Sequence, residues 1–206
     1  MKTNTNSNSY TIIYSIIIVV IVAFLLAFVS QALKEKQDAN VALDQKKQIF
    51  YALNERSLSD SEYETRYAAN VKEAEVDGKP IYECKTEDGK LNYVIPMKGM
   101  GLWGPIYGYV AISEDKSTVV GAYFNHDSET AGLGAEIKDS QAWQEKFQGK
   151  KIFKEGSDEI ALGVVKKVEN TASEVDAVTG ATLTSNGVSD MLKKSLAEYV
   201  KFLKAQ

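Results

Sequence analysis

No charged residue occurs between Lys2 and Lys34, and residues 12–29 are almost wholly Ile, Val, Leu, Ala and Phe, broken only by Tyr14 and Ser15. A helix needs about 20 apolar residues to cross the hydrocarbon core of a bilayer, and residues 10–33 supply them with a tyrosine at the entry. The rival reading is a cleaved secretory signal, for which Ser30-Gln31-Ala32 is a passable small-x-small site. Signal cores run about 7 to 15 residues behind a basic start, whereas this run is longer and Lys2 alone precedes it. An uncleaved anchor is the favoured reading. With one such helix and no ionisable group inside it, the chain is not expected to form an ion path by itself.

The 206 residues leave room for one further domain of ordinary size. The expected organisation is a tail over 1–9, a transmembrane helix over 10–33, a helical stalk over 34–75 and a folded domain over 76–206. Residues 37–70 are rich in Ala, Leu, Gln and Lys and free of Pro and Gly, which predicts helix. Leu58-Ser-Asp-Ser-Glu62 offers a capping pattern for a second short helix, with Ser59 or Ser61 as the cap. Beyond Gly78-Lys-Pro80 the chain turns to short runs of Val, Ile and Tyr between turn residues. These predict strands at 81–85, 92–97, 107–112 and 119–125, with turns at Glu87-Asp-Gly-Lys90 and Ser113-Glu-Asp-Lys-Ser117. A short helix over 140–147, a strand within 159–168 and a helix from Ser185 onward complete an α+β domain with an antiparallel sheet and flanking helices.

The formal net charge is −4, and no basic stripe interleaved with aromatics suggests nucleic acid. Cys84 is the single cysteine, so neither an internal disulfide nor a multi-cysteine metal site is available to this chain alone. In Ile81-Tyr-Glu-Cys84 it reads as a half-buried strand residue. His126, the only histidine, has no ligand partners in sequence and reads as a surface or hydrogen-bonded group.

Chemistry is suggested by Asp176-Ala-Val-Thr-Gly-Ala-Thr182 and its continuation Leu-Thr-Ser-Asn-Gly187. Thr179, Gly180, Ala181 and Thr182 leave the backbone open to close approach. Val188, Met191, Leu192, Leu196, Tyr199 and Leu203 then recur at helical spacing, so the polar run ends at a helix start, where free N–H groups favour a phosphate near Thr182, Thr184 or Ser185. Taken as bare residues, this is also what an ordinary helix cap looks like, and caps are commoner than phosphate sites. Two glycine-rich segments, Gly99-Met-Gly-Leu-Trp-Gly104 and Glu129-Thr-Ala-Gly-Leu-Gly134, fit neither a Rossmann nor a P-loop context.

The whole string Asp176-x-x-Thr179-Gly180-Ala181-Thr182 resembles the motif read by the flavin transferase that couples FMN to threonine. The resemblance implies that Thr182 carries FMN as a phosphoester, that Asp176 belongs to the recognition sequence, and that a separate magnesium-dependent enzyme uses FAD as donor. Together with the glycine-rich segments, the chain resembles the C subunit of the sodium-translocating NADH:quinone reductase across most of its length. That implies a loop by the flavin made of Glu129, Thr130, Leu133 and Gly134, with Ala131 standing where relatives usually have proline, and Trp103 or Leu133 packed on the ring. It further implies covalent FMN, other membrane subunits and lipid as partners, and an external domain on a bacterial inner membrane. The charge count points the other way, because Lys34, Lys36, Lys46 and Lys47 follow the helix while only Lys2 and the amino terminus precede it. The related G subunit of the ferredoxin:NAD oxidoreductase shares the anchor and flavin motif, and a cofactor-free anchored interaction domain is the reading from another class.

Overall fold

A computed structural model describes residues 7–86 and 89–205. Residues 1–6 of the expected tail, and Glu87 and Asp88 of one expected turn, lie outside the described residues. The chain separates into two compact units, Met1–Asp44 and Gln45–Gln206.

The first unit consists, among its described residues, almost entirely of helix α1 (Asn8–Ala52), which continues into the second unit. Its apolar side chains face outward: Phe24, Leu26 and Phe28 are among the most exposed. Such a surface is costly in water and matches a hydrocarbon solvent. Among the described residues α1 is the one helix long and apolar enough to cross a membrane.

In the second unit the last turns of α1 behave differently. Gln48, Ile49, Phe50 and Ala52 are buried, and Gln45 Nε2 donates to the Tyr82 hydroxyl at 3.0 Å. Helix α2 (Asp60–Asn70) follows a break at 53–59 and is capped by Ser59, the first of the two expected candidates. The Ser59 N–H donates to Glu62 Oε2 at 2.7 Å while the Ser59 side chain faces the Glu62 N–H, a capping box, and the Ser59 hydroxyl also donates to Oε2 at 2.6 Å. The largely helical stretch expected over 37–70 is thus the end of α1 and the expected second short helix. It ends directly at a strand, because β1 (Val71–Val76) occupies what the sequence suggested was stalk. Half of its residues are Lys or Glu, a poor strand composition, and pairing with β2 (Lys79–Lys85) overrides it through the two-residue turn Asp77-Gly78, with φ of 51° and 76°.

The sheet is a five-stranded antiparallel meander, β1-β2-β3-β4-β5, with β3 (Leu91–Met100), β4 (Pro105–Ile112) and β5 (Val119–His126). All four expected strands lie within it. One face packs Ile95, Val110 and Phe124 against Phe147, Met191 and Leu192. The opposite face carries Tyr82, Tyr109 and Tyr123, and Tyr51 after the anchor stacks edge-on against Tyr123 at 5.2 Å. Covered on both faces, β4 and β5 bury nearly every residue, which is why they read as near-continuous apolar runs. Each fully buried Ile or Phe contributes about 1.5–3 kcal/mol.

The expected helix over 140–147 forms as α4 (Gln141–Glu145), capped by Ser140, whose Oγ accepts from Trp143 N at 3.3 Å, and a further short helix, α3 (Glu136–Asp139), precedes it. Of the expected strand within 159–168 only β6 (Gly163–Val165) forms, and it pairs in parallel with β7 (Glu174–Asp176). Helix α5 (Thr182–Ala197) begins three residues before the expected Ser185, and α6 (Val200–Lys204) follows a break. Thr184 and Ser185, which suggested a cap, lie inside the helix, where their side chains bond to Glu129 and Val178. The architecture is α+β: a membrane-type helix followed by an antiparallel sheet with flanking helices.

Candidate functional site

The Asp176–Thr182 string leaves β7 as a loop clamped at three points. Trp143 Nε1 donates to the Asp176 carbonyl at 2.8 Å, and Lys146 Nζ reaches both Asp176 carboxylate oxygens at 3.0 and 2.8 Å. Ala177 N–H donates to Val165 O at 2.9 Å, and Val178 N–H to Ser185 Oγ at 3.1 Å. The loop then turns through exposed Thr179 and Gly180, the latter at φ 78°, a left-handed conformation suited to glycine. Ala181 sits buried in the cap position, and Thr182 opens α5 with its side chain exposed. No side chain caps this helix and no acidic residue stands in its first turn. Its outward N–H groups and positive end therefore suit an anion carried on Thr182.

The neighbouring hydroxyls point elsewhere. Thr184 is buried and donates to Glu129 Oε2 at 2.6 Å, while buried Ser185 is the acceptor for Val178. Both shape the loop from within, and Thr182 is the exposed hydroxyl of the first turn of α5.

The two glycine-rich segments meet this helix end. A Cβ on Gly180 would lie 2.8 Å from Leu133 Cδ2, and one on Gly187 only 2.3 Å from the Met100 carbonyl oxygen. Glu129, 7% exposed, lies between Gly101 and Gly134, whose added Cβ atoms would come within 2.5 and 2.4 Å of its carboxylate oxygens. It accepts from Trp103 N–H at 2.9 Å, and its own N–H donates to His126 Nδ1 at 3.1 Å, so His126 is a hydrogen-bonded residue at the end of β5. Thr130 is exposed at its side chain, and its carbonyl accepts from Leu133 and Ala135 N–H. Twelve residues expected at the site thus fall on one end of the domain.

The segments that meet at this end also expose apolar side chains. The large hydrophobic side chains exposed in the second unit, among the described residues, are Met100, Leu102, Trp103, Leu133 and Leu183, and all five belong to these segments. Trp103 is 67% exposed. Isolated exposed apolar side chains are ordinary, but five gathered at one helix end mark a binding surface. Met100, Leu102 and Leu183 were missed by sequence reasoning. Leu183 carried a signal, since it stands off the stripe formed by Val188, Met191, Leu192 and Leu196 and so has no core to enter. Lys146 and Trp143, the clamps on Asp176, carried none. A cleft of about 330 Å³ opens beside the loop between Gly132, Trp143, Lys146, Asp176 and Thr179. A larger groove of about 740 Å³, lined by Pro80, Pro96, Pro105, Tyr107 and Tyr199, contains none of the candidate residues.

The family model of the FMN-binding domain matches residues 101–197, which hold all the candidate residues. The crystal structure of the C subunit of the Na(+)-translocating NADH-quinone reductase from Parabacteroides distasonis superposes with a TM-score of 0.76 at 37% identity, covering 84% of this chain and 98% of that one. The chain belongs to this C-subunit family. Curated C-subunit relatives are 42% identical over 125 residues in Chlamydia trachomatis and 46% over 110 residues in Neisseria meningitidis. Those matches cover 52% of this chain in each case, but 38% and 42% of the relatives, so the chain spans less than half the length of the curated relatives it matches. Shewanella oneidensis NqrC, at 22% identity and a TM-score of 0.66 over 79% of this chain and 97% of that one, shares the fold. Within the C-subunit family the long apolar helix is a single-pass membrane anchor.

Proposed function

We propose that the chain is a membrane-anchored flavoprotein subunit that relays electrons through FMN held covalently on Thr182, within a sodium-translocating NADH:quinone reductase. The observation that carries this reading is the coincidence of an exposed hydroxyl at an uncapped helix start with exposed apolar side chains on the segments that meet that helix. The hydroxyl and helix end suit the phosphate, and the apolar side chains suit the flat face of an isoalloxazine.

In the loading step the Thr182 hydroxyl oxygen attacks the phosphorus of FAD that bears the riboflavin portion. The bond from that phosphorus to the AMP oxygen breaks, AMP leaves, and the hydroxyl proton passes to a base on the transferase. This chain places no base next to Thr182 in sequence and acts as the substrate of that enzyme. Once bound, the flavin supplies the oxidation and reduction chemistry. The domain's own residues hold, orient and shield: Thr182 tethers, Trp103 and Leu133 pack on the ring, and the glycine-lined backbone allows close approach. Tethering prevents loss of the carrier into the surrounding volume. Other membrane subunits supply NADH oxidation, quinone reduction and sodium passage, lipid surrounds α1, and the domain faces the external side of the inner membrane.

The full chain co-expressed with a flavin transferase tests the attachment. The wild-type band fluoresces after denaturing electrophoresis, and Thr182→Ala loses that fluorescence. A Thr182→Ala band as bright as wild type would sink attachment at this residue.

A further inference from the structure

We propose that Glu129 is the positioning residue that locks the Trp103 loop to the first turn of α5, so that indole and tethering helix form one surface for the flavin; this rests on attachment at Thr182. The carboxylate is buried, and the partners found for it are neutral donors: the Trp103 backbone N–H at 2.9 Å and the Thr184 hydroxyl at 2.6 Å. Burying a carboxylate without a cation is costly, so its retention is explained by what it joins. Gly101 and Gly134 have no room for a side chain because the two carboxylate oxygens occupy it. The latch therefore uses three segments at once, the 99–104 loop, the 129–134 loop and α5, and each contributes a residue whose identity the carboxylate dictates. Beyond Glu129, the hydrogen bond found on Trp103 among the described residues is a 3.4 Å bond from Ser128 Oγ to its carbonyl. Holding Trp103 is thus chiefly the work of Glu129.

The two oxygens have separable roles, which makes the idea testable. In Glu129→Gln the remaining oxygen still accepts from Trp103 N–H, and the new amide donates to Thr184 Oγ once that hydroxyl rotates to accept. The negative charge is lost and the geometry is kept. In Glu129→Ala both bonds are lost. Full-length chains co-expressed with the transferase and purified in detergent are compared by attached flavin after denaturation, by flavin fluorescence in the native state and by midpoint potential. Native fluorescence and potential are compared per flavin attached, so that any change in loading is separated from the change in positioning. Glu129→Ala is expected to raise native flavin fluorescence severalfold, approaching Trp103→Ala, and to move the potential in the same direction as Trp103→Ala. Glu129→Gln is expected to stay with wild type.

If Glu129→Ala does not fold, Thr184→Val, which removes one donor without changing side-chain shape, is expected to show the same fluorescence gain in smaller measure. Wild-type behaviour of Glu129→Ala, or of Thr184→Val where that variant stands in for it, would overturn the proposal. So would a Glu129→Gln chain as perturbed as Glu129→Ala, since charge and not hydrogen bonding would then be responsible. A wild-type chain that carries no flavin would overturn the underlying reading, and the latch with it.

Discussion

A Cβ placed on Gly180 would lie 2.8 Å from Cδ2 of Leu133, so the threonine motif and the Glu-Thr-x-Gly-Leu-Gly loop are in contact there. The same residue holds φ at 78°. Gly180→Ala therefore meets backbone strain and must displace the exposed end of the Leu133 side chain. It is expected to destabilise the domain by about 1–2 kcal/mol, read as a lower urea midpoint by near-ultraviolet circular dichroism. An unchanged midpoint would mean that the turn relaxes elsewhere.

Asp176 separates recognition from stability. Its pair with Lys146 is half exposed, with side-chain exposures of 52% and 45%, so solvent screens it. Asp176→Asn is expected to cost under about 1 kcal/mol in a denaturant titration. The same variant is expected to lose most flavin attachment, measured as fluorescence of the denatured band. Full attachment in Asp176→Asn would detach this residue from the recognition motif.

Asp115 should dominate acid sensitivity in the β4–β5 turn. Burial pushes its carboxyl up, but donation from the Ser113 and Thr118 hydroxyls and from the Ser117 and Thr118 N–H groups outweighs this and holds it well below its ordinary 3.8. A depressed value in the folded state stabilises above the unfolded value and is lost as pH falls below about 4. Asp115→Asn is expected to flatten the decline in melting temperature between about pH 5 and pH 3. A decline as steep as wild type would assign the acid sensitivity to other carboxylates.

Cys84 is 1% exposed, and burial, followed by the nearby Glu55 charge, pushes its thiol up to about 12. Reaction needs the thiolate, so the folded chain should resist iodoacetamide at neutral pH and react fully in denaturant. Because the folded thiol keeps its proton after an unfolded one has lost it near 9.0, stability is expected to fall as pH rises from there towards about 12. Rapid labelling of the native chain would contradict that burial.

Much of the domain was legible in its residues. The Val, Ile and Tyr runs of β2 to β5 announce strands because both faces of those strands are covered, and the apolar stripe of α5 announces its core face. β1 was hidden because Lys72, Glu73 and Glu75 lie on a solvated edge where pairing, not propensity, decides. The start of α5 was misjudged because Thr184 and Ser185 look like caps, while their hydroxyls serve Glu129 and Val178. No local pattern could give the contact between Glu129 and Thr184, which are 55 positions apart. Lys146 stayed hidden for the same reason.

Topology offers an independent check, since Lys34, Lys36, Lys46 and Lys47 would by charge counting favour a cytoplasmic domain. The proposed external placement predicts that added protease removes the domain in spheroplasts without lysis. Protection until the membrane is broken would reverse the orientation.

The central claim is a flavin on one named hydroxyl, and peptide mapping by mass spectrometry of the chain matured with its transferase tests it most directly. An FMN phosphoester is expected on Thr182 and none on Thr179, Thr184 or Ser185. An adduct on any of those three, or an unmodified Thr182 in a chain that has retained flavin, would contradict it.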